Sequence, residues 1–318
     1  MKQNLVDISH LESLLVNSSR IIIGVSGGAD SMALLHQIVQ YRDILNKEFK
    51  VLHVDHQISK HSGAWADSVA DYCKLNNVAC DIVKVDLARY GNNLEQAARN
   101  ARYAAFTAQD CDTILIAHHA NDQVETFFLK MFRGSGPNGL SGMQATSPCW
   151  FDTSKIVVRP LLNVFRQDIE QYVADNNIPF VTDPSNSDTA FDRNWIRQCL
   201  VPMLQERNEI ADINILKVMK IQDETAGLIG DLAEIDIKHC LNNDGSFDWY
   251  KIKHMDIARV KNMFIHLCSQ RNSVDIKTKQ IEMFVTGLIN ASIDSKTEMS
   301  LEKIRVYKRG KRVYLENK

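Results

Sequence analysis

Residues 20–31 read RIIIGVSGGADS: Arg20-Ile21-Ile22-Ile23-Gly24-Val25-Ser26-Gly27-Gly28-Ala29-Asp30-Ser31. The first half is a near-continuous apolar run rich in β-branched residues, the pattern of a strand buried on both faces of a parallel sheet. Gly27 and Gly28 let the backbone turn tightly and approach a ligand without interference from a Cβ. From Ala29 to Arg42 the apolar residues recur at helical spacing. Strand, tight turn and helix in direct succession present backbone N–H groups and the positive end of a helix dipole, which together suit a phosphate. Ser26 and Ser31 add hydroxyl donors. Asp30 brings a negative charge to such a site, and its sensible work there is to hold Mg2+ against the phosphates. The loop is neither GxxxxGK[ST] nor GxGxxG, and no lysine follows it. The plain structural alternative is a capped helix start, with Ser26 or Asp30 satisfying backbone donors.

Further β-rich runs lie at Phe49–Asp55, Cys80–Asp86 and Thr113–His118. Helical stretches fill the spaces at Ala64–Asn77, Leu94–Gln109 and Asn121–Arg133. Strand–helix alternation predicts an α/β fold: a parallel twisted sheet with helices on both faces. Ligands bind at the carboxyl ends of such strands. That rule brings Ser26–Ser31, His53–Gln57 and His118–Asp122 to one rim. A Gly-rich loop is expected over Arg133–Met143, a strand over Ile156–Arg159, a helix over Arg166–Asn177, a turn at Asp183–Ser187 and a helix over Asp192–Leu204 that Pro202 distorts or ends. A long helix over Glu209–His239 then leads into a smaller, mostly helical domain. Helices are expected there at Asp256–Ser269 and Lys277–Ile289, and short strands at Glu298–Leu301, Arg305–Tyr307 and Arg312–Leu315. The expected domains are thus 1–208 and 209–318.

Hydrophobic residues make up 45% of the chain and charged residues 24%, enough for a packed core. No apolar run is long enough to span a bilayer, and Met1–Leu15 lacks the basic-then-apolar pattern of a signal peptide. Cys73, Cys80, Cys111, Cys149, Cys199, Cys240 and Cys268 are odd in number and form no CxxC pair. Reduced thiols in a cytoplasmic chain are therefore expected, without a zinc ribbon or disulfide scaffold. Residues 1–212 carry 19 Lys and Arg against 25 Asp and Glu, a net −6, whereas residues 213–318 carry 18 against 14, a net +4. A basic C-terminal third suits an acidic partner such as nucleic acid, and equally a drift in surface composition.

Asp122 and Glu125 are three apart at a helix start and share a face, where two carboxylates can pair with an ammonium and help take its proton. Stabilisation of the helix dipole is the structural alternative. Arg99 and Arg102 lie one turn apart and suit phosphate contacts or charge neutralisation, while a Glu95–Arg99 pair would be purely local. His118 and His119 have no third metal ligand at suitable spacing. Lys303, Arg305, Lys308, Arg309, Lys311 and Arg312 form a basic cluster that suits RNA phosphates or, alternatively, a solvated hairpin.

SGGxDS at residues 26–31 resembles the signature of the ATP pyrophosphatases, or PP-loop family. Five further segments narrow the resemblance: His53-Val54-Asp55-His56-Gln57; Asn93-Leu94-Glu95-Gln96-Ala97-Ala98-Arg99 with Arg102-Tyr103; His118-His119-Ala120-Asn121-Asp122-Gln123-Val124-Glu125-Thr126, running on to Arg133-Gly134-Ser135-Gly136; Arg159-Pro160-Leu161-Leu162 with Asp183-Pro184-Ser185-Asn186; and Arg193-Asn194-Trp195-Ile196-Arg197. Together these resemble the tRNA(Ile)-lysidine synthases, over about residues 18–205, in the family's short form. The resemblance implies cleavage of ATP between its α- and β-phosphates, with Mg2+ at Asp30. L-Lysine would be joined to C2 of the wobble cytidine of a CAU-anticodon tRNA(Ile), with AMP and pyrophosphate released. It implies nucleotide contacts at Ser26, Gly27, Gly28, Ala29, Asp30, Ser31 and His53, catalytic duties for Asp30, Arg99, Asp122 and Glu125, and lysine binding by Asp122 and Glu125. Contacts with tRNA are expected from Arg133, Arg193, Arg197, Lys308, Arg309, Lys311 and Arg312. The expected partners are tRNA, lysine and ATP, with no membrane; a homodimer is compatible with the sequence. Another PP-loop enzyme that adenylates RNA or a small molecule is the alternative. One departure stands out: the family pattern HHxDDQxET carries Asn121 at its first Asp.

Overall fold

The apolar run before the glycine loop is strand β1, Arg20–Gly24, in a computed structural model that describes residues 4–91, 94–183, 188–270, 278–301 and 303–318. Its three isoleucines are almost wholly buried because both faces of the sheet are covered. Ile21 and Ile23 face one apolar cluster, and Ile22 faces another. Parallel strands flank β1 on each side: β2, Glu48–Asp55, and β4, Thr113–Leu115, so that Ile23 sits beside both Val51 and Leu115. With β3, Ala79–Lys84, β5, Thr146–Pro148, and β6, Ile156–Val158, they form a six-stranded sheet in the order β3-β2-β1-β4-β6-β5. Only the edge strand β5 is antiparallel to its neighbour among these. The chain leaves β1 on one side to build β2 and β3, and returns on the other to build β4. That reversal opens a crevice between the carboxyl ends of β1 and β4, where ligands of such sheets sit.

Helices α1, Ile8–Leu14, α2, Ala29–Leu45, and α3, Ser62–Leu75, cover one face, joined by α7, Arg166–Asp175. Leu34, Leu35, Ile38, Val69, Ile169 and Val173 pack there with Ile21 and Ile23. On the other face α4, Leu94–Thr107, packs Tyr103 and Phe106 against Ile22, Leu52 and Ile114. Gly24 ends β1 under Phe106, whose ring would stand 2.5 Å from any added Cβ.

Helix α5, Ala120–Phe132, belongs to a third apolar group. Its Val124 and Phe128 pack with Ile196, Leu200 and Leu204, and with Ile215 and Leu216 of α10, Ala211–Cys240. The predicted helix over Asp192–Leu204 is wound three ways: α8, Asp192–Trp195; a π turn, Ile196–Leu200; and α9, Val201–Arg207. Pro202 does not end it. The wider π turn lies where a proline ring would otherwise crowd the preceding carbonyl. The Gly-rich stretch holds a one-turn helix, α6, Pro137–Leu140, begun by its proline.

The chain divides into two compact units, Met1–Met219 and Lys220–Lys318. The division falls inside α10 rather than at 208/209, because the packing of Ile215 and Leu216 ties the first turns of α10 to the first unit. The second unit has an antiparallel sheet in the order β7-β10-β9-β8: β7, Phe247–Asp248; β8, Glu298–Ser300; β9, Ile304–Arg309; and β10, Arg312–Asn317. The later turns of α10 accompany it, with α11, Trp249–Lys253, α12, Ile257–Gln270, and α13, Thr278–Ile289. Trp249, Phe264, Phe284, Ile304 and Val313 fill its core, and Trp249 Nε1 donates to the Leu288 carbonyl at 2.9 Å. Asn93 and Pro184–Asn186 lie outside the described residues. Among the described residues no helix is long and apolar enough to cross a membrane.

Candidate active site

The phosphate-type loop follows β1 directly. Gly27 has φ +91°, and a Cβ there would stand 3.1 Å from Val181 and 3.4 Å from Val69, so both backbone and packing require glycine. Its carbonyl accepts the Val181 N–H at 2.9 Å. Gly28 caps α2 with extended backbone, and Ala29 and Asp30 open the helix. The Ser31 hydroxyl is buried; it donates to the Gly28 carbonyl at 3.0 Å and accepts the Ser26 N–H at 3.2 Å. The two serine hydroxyls lie 3.2 Å apart. The serines therefore tie the loop to itself, and the first backbone N–H groups of a 17-residue helix have no intrahelical acceptor.

His53, on β2, is buried, and its Nδ1 donates to the Val25 carbonyl at 2.9 Å, which steadies the backbone leading into the loop. Burial pushes this imidazole below its ordinary pKa. At the end of β2, Asp55 Oδ1 accepts the N–H of Gln57, whose φ is +54°.

Across the crevice, His118 and His119 follow β4 and lead into α5. His119 is 1% exposed and caps α5. Its Nε2 lies 3.7 Å from Asp30 Oδ2 and 3.6 Å from Asp122 Oδ2, so one imidazole bridges the loop acid and the helix acid. Burial disfavours its charge, but Asp30, Asp122 and Glu125 outweigh burial and hold its pKa above the ordinary value. Asp122 Oδ2 also reaches back to accept the His119 N–H at 3.0 Å. Burial works against this carboxylate too, and His119 and Arg193 more than offset it, keeping its pKa low. His118 is pushed down to about 3, chiefly by burial, with Arg193, Arg159 and Arg99 adding to the effect and Asp122 opposing it.

Arg193 and Arg197, expected to meet tRNA, lie instead on the acid pair. Arg193 Nε donates to Glu125 Oε2 at 2.6 Å and its Nη2 to Asp122 Oδ1 at 3.1 Å. Arg197 Nε donates to Glu125 Oε1 at 2.6 Å, with its Nη2 3.7 Å from Asp122 Oδ1. Glu125 is 1% exposed. The structure thus gathers Asp30, Asp122 and Glu125 as expected and adds His119 and the two arginines.

Arg99 stands apart from this set on the exposed side of α4, its guanidinium 5.3 Å from the Tyr103 ring centre and 6.0 Å from that of Trp150. Arg133 is exposed at the far end of α5. In the second unit Lys308 corrects the expectation of a phosphate contact. The alternation of β9 that buries Ile304 and Val306 buries Lys308 as well, and its Nζ donates to the carbonyls of Ser292, Ile293 and Ser295. Arg305 pairs with Glu298 and Arg312 with Asp244. Arg309 is exposed, and Lys311 lies over the Tyr250 ring at 5.5 Å.

Asn121 has a definite duty: its Oδ1 accepts the Arg166 N–H at 2.9 Å and so satisfies the start of α7. An Asp oxygen at this position could accept the same bond. Gln123 clamps the Gly-rich segment with two bonds to Met143, at 2.7 and 2.8 Å. Gly142, with φ +77°, leaves room for that clamp, since a Cβ would fall 2.7 Å from Gln123 Oε1.

Among the described residues no three His, Cys, Asp or Glu side chains stand ready to hold a metal ion. Asp30 Oδ1 is nonetheless buried without a hydrogen-bond partner. One carboxylate with an unfilled oxygen beside a phosphate-type loop fits Mg2+, which binds through one or two carboxylates together with substrate phosphates.

Comparison with known proteins agrees with this geometry. The chain is 32% identical over 253 residues to the tRNA(Ile)-lysidine synthase of Nitrosomonas europaea, covering 79% of this chain and 55% of that protein. It is 34% identical over 252 residues to that of Shigella flexneri, covering 78% and 58%. For the Salmonella typhimurium enzyme the figures are 32% over 266 residues, 83% and 61%. The chain therefore spans well under two thirds of the length of these curated relatives. Among solved structures, the U34-tRNA thiolase NcsA from Methanococcus maripaludis with its [4Fe-4S] cluster superposes with a TM-score of 0.55 at 14% identity, over 68% of this chain and 78% of that one, a likeness of fold. The family profile described as the PP-loop domain matches residues 3–204. The switch-point crevice, the glycine loop after β1 and this match agree, and the chain belongs to the PP-loop domain family.

Proposed function

We propose that the protein joins L-lysine to C2 of the wobble cytidine of a CAU-anticodon tRNA(Ile), forming lysidine and releasing AMP and pyrophosphate. The observation that carries the reading is the His119 bridge: the loop acid Asp30 and the helix acid Asp122 lie one imidazole apart across the crevice, and Arg193 links Asp122 to Glu125. Such a site can hold a nucleotide α-phosphate and an ammonium side by side. The relatives of similar sequence are named for this activity. In the first step the C2 oxygen of cytidine attacks the α-phosphorus of ATP and pyrophosphate leaves. In the second the ε-amine attacks C2 and AMP leaves, a far better leaving group than oxide. The loop N–H groups of Gly28 and Ala29 hold phosphate oxygens. Asp122 and Glu125 bind the ammonium and help take its proton. Asp30 would hold Mg2+ through Oδ1, and the ion would neutralise charge on the polyphosphate. The target base lies in a single-stranded loop and can be splayed into the crevice without breaking a duplex pair. Of Lys308, Arg309, Lys311 and Arg312, the exposed Arg309 and Lys311 carry no ion pair among the described residues and are placed to meet RNA phosphates.

Product analysis tests the reaction type. Incubation with ATP, lysine and the tRNA should yield AMP and pyrophosphate, with AMP release dependent on lysine. ADP and orthophosphate as products would contradict the reading.

A further inference from the structure

Asp122 and Glu125 are already satisfied. Both oxygens of Glu125 accept from guanidinium groups, Asp122 Oδ1 accepts from Arg193, and Asp122 Oδ2 accepts the His119 N–H. The two guanidinium groups match the charges of Asp122 and Glu125, so these carboxylates keep no unpaired charge for an ammonium. A third cation entering this partly buried set would meet two guanidinium groups whose repulsion water screens only in part. The ammonium must therefore replace the arginines. The arginines cannot simply be left behind, because a partly buried charge without a partner is costly. They need an anion, and the phosphate loop lies just across His119. Planar guanidinium groups match phosphate as well as they match carboxylate.

We propose that Arg193 and Arg197 form an exchangeable counter-ion pair: they hold Asp122 and Glu125 until a substrate phosphate takes the guanidinium groups, and only then do the acids accept the lysine ammonium. The proposal rests on the reading that these acids bind lysine. A physical route is present in the backbone. Arg193 lies in α8 and Arg197 in the π turn that precedes Pro202. Rewinding a π turn as α shifts the segment by one residue, which turns its side chains by about 100°. The exchange makes lysine affinity depend on the anionic co-substrate, so the enzyme does not fill with lysine, or another amine, before phosphate is in place. Such coupling is reciprocal.

Equilibrium dialysis of radiolabelled lysine against the full chain tests this. One arm holds no phosphate ligand, one holds α,β-methylene-ATP with Mg2+, and one holds an unmodified CAU-anticodon tRNA(Ile) transcript. Lysine should bind about tenfold or more tightly once the phosphate ligand is present, the worth of about one charge-assisted hydrogen bond. Lysine should raise the affinity of that ligand by the same factor. A gain in the nucleotide arm assigns the exchange to the triphosphate, and a gain in the RNA arm alone assigns it to RNA phosphate. In Arg193→Gln/Arg197→Gln, with folding checked by circular dichroism, lysine affinity should no longer respond to either ligand. Equal lysine affinity of the unaltered protein in all three arms, with binding lost in Glu125→Gln, would overturn the exchange while sparing the lysine site. Lysine binding that ignores Glu125→Gln would overturn the site and the exchange together.

Discussion

Asp30 has two oxygens in different surroundings. Oδ2 faces His119, whereas Oδ1 is buried and unpartnered. A buried polar atom without a partner costs about 1–3 kcal/mol, a cost a function must justify. Asp30→Ala should therefore lower AMP formation by about 100-fold or more while leaving the thermal unfolding midpoint unchanged or raised. Activity near that of the unaltered protein would remove Asp30 from the machinery. Two histidines of the same rim give a pH signature. His56 is pushed down to about 4, first by burial and then by Arg102, and His118 down to about 3, first by burial. In the unfolded chain both titrate near 6.5. The unfolded state thus binds more protons between these values. The histidines' contribution to stability is complete above about pH 6.5 and is lost as pH falls toward 4, at about 1.4 kcal/mol per pH unit for each. Asp122 and Asp112 are held low, so their own losses come at more acid pH. Urea unfolding followed from about pH 7 to about pH 4.5 should show this fall, and His56→Asn should lessen its slope. A flat profile would mean that neither histidine is held neutral by the fold.

The elements differ in how openly the sequence declares them. β1 and its loop were legible because strand pattern, glycines and helix start are contiguous. The rim followed from the rule for parallel sheets, and Asp122 and Glu125 from helical spacing. The partners of those acids were not legible, because Arg193 and Arg197 reach Glu125 across 68 and 72 residues of chain. The available signal was spacing: arginines four apart in RNWIR answer acids three apart in DQVE. The π turn left no trace beyond Pro202. Lys308 shows the opposite failure. Counting the alternation of β9 from Ile304 points it inward, but its neighbours' charges made it read as part of a surface cluster. Lys308→Ala should cost about 1–3 kcal/mol of stability in urea unfolding, since the buried ammonium's bonds to three carbonyls are lost. It should leave the salt dependence of tRNA binding unchanged. Arg309→Ala/Lys311→Ala should do the reverse, lowering the salt slope by about 0.7–0.9 per residue with little loss of stability. If Lys308→Ala flattens the slope instead, the buried placement of its ammonium is wrong.

At the scale of the whole molecule, the chain joins an acidic PP-loop unit to a more basic, smaller unit through one long helix. The division inside α10 was hidden from sequence because its apolar residues run on without a break, and only packing assigns Ile215 and Leu216 to the first unit. The sign of charge in each part suits a division of labour, with chemistry in the first unit and RNA phosphates held by the second. All of this depends on what bond the crevice makes. The most direct measurement is mass spectrometry of nucleosides from a CAU-anticodon tRNA(Ile) transcript after incubation with the protein, ATP, Mg2+ and isotopically labelled lysine. The account predicts a cytidine at the wobble position heavier by one labelled lysine less one water, absent when ATP or lysine is withheld. An unmodified wobble cytidine despite AMP formation, or a modification that carries no label, would contradict it.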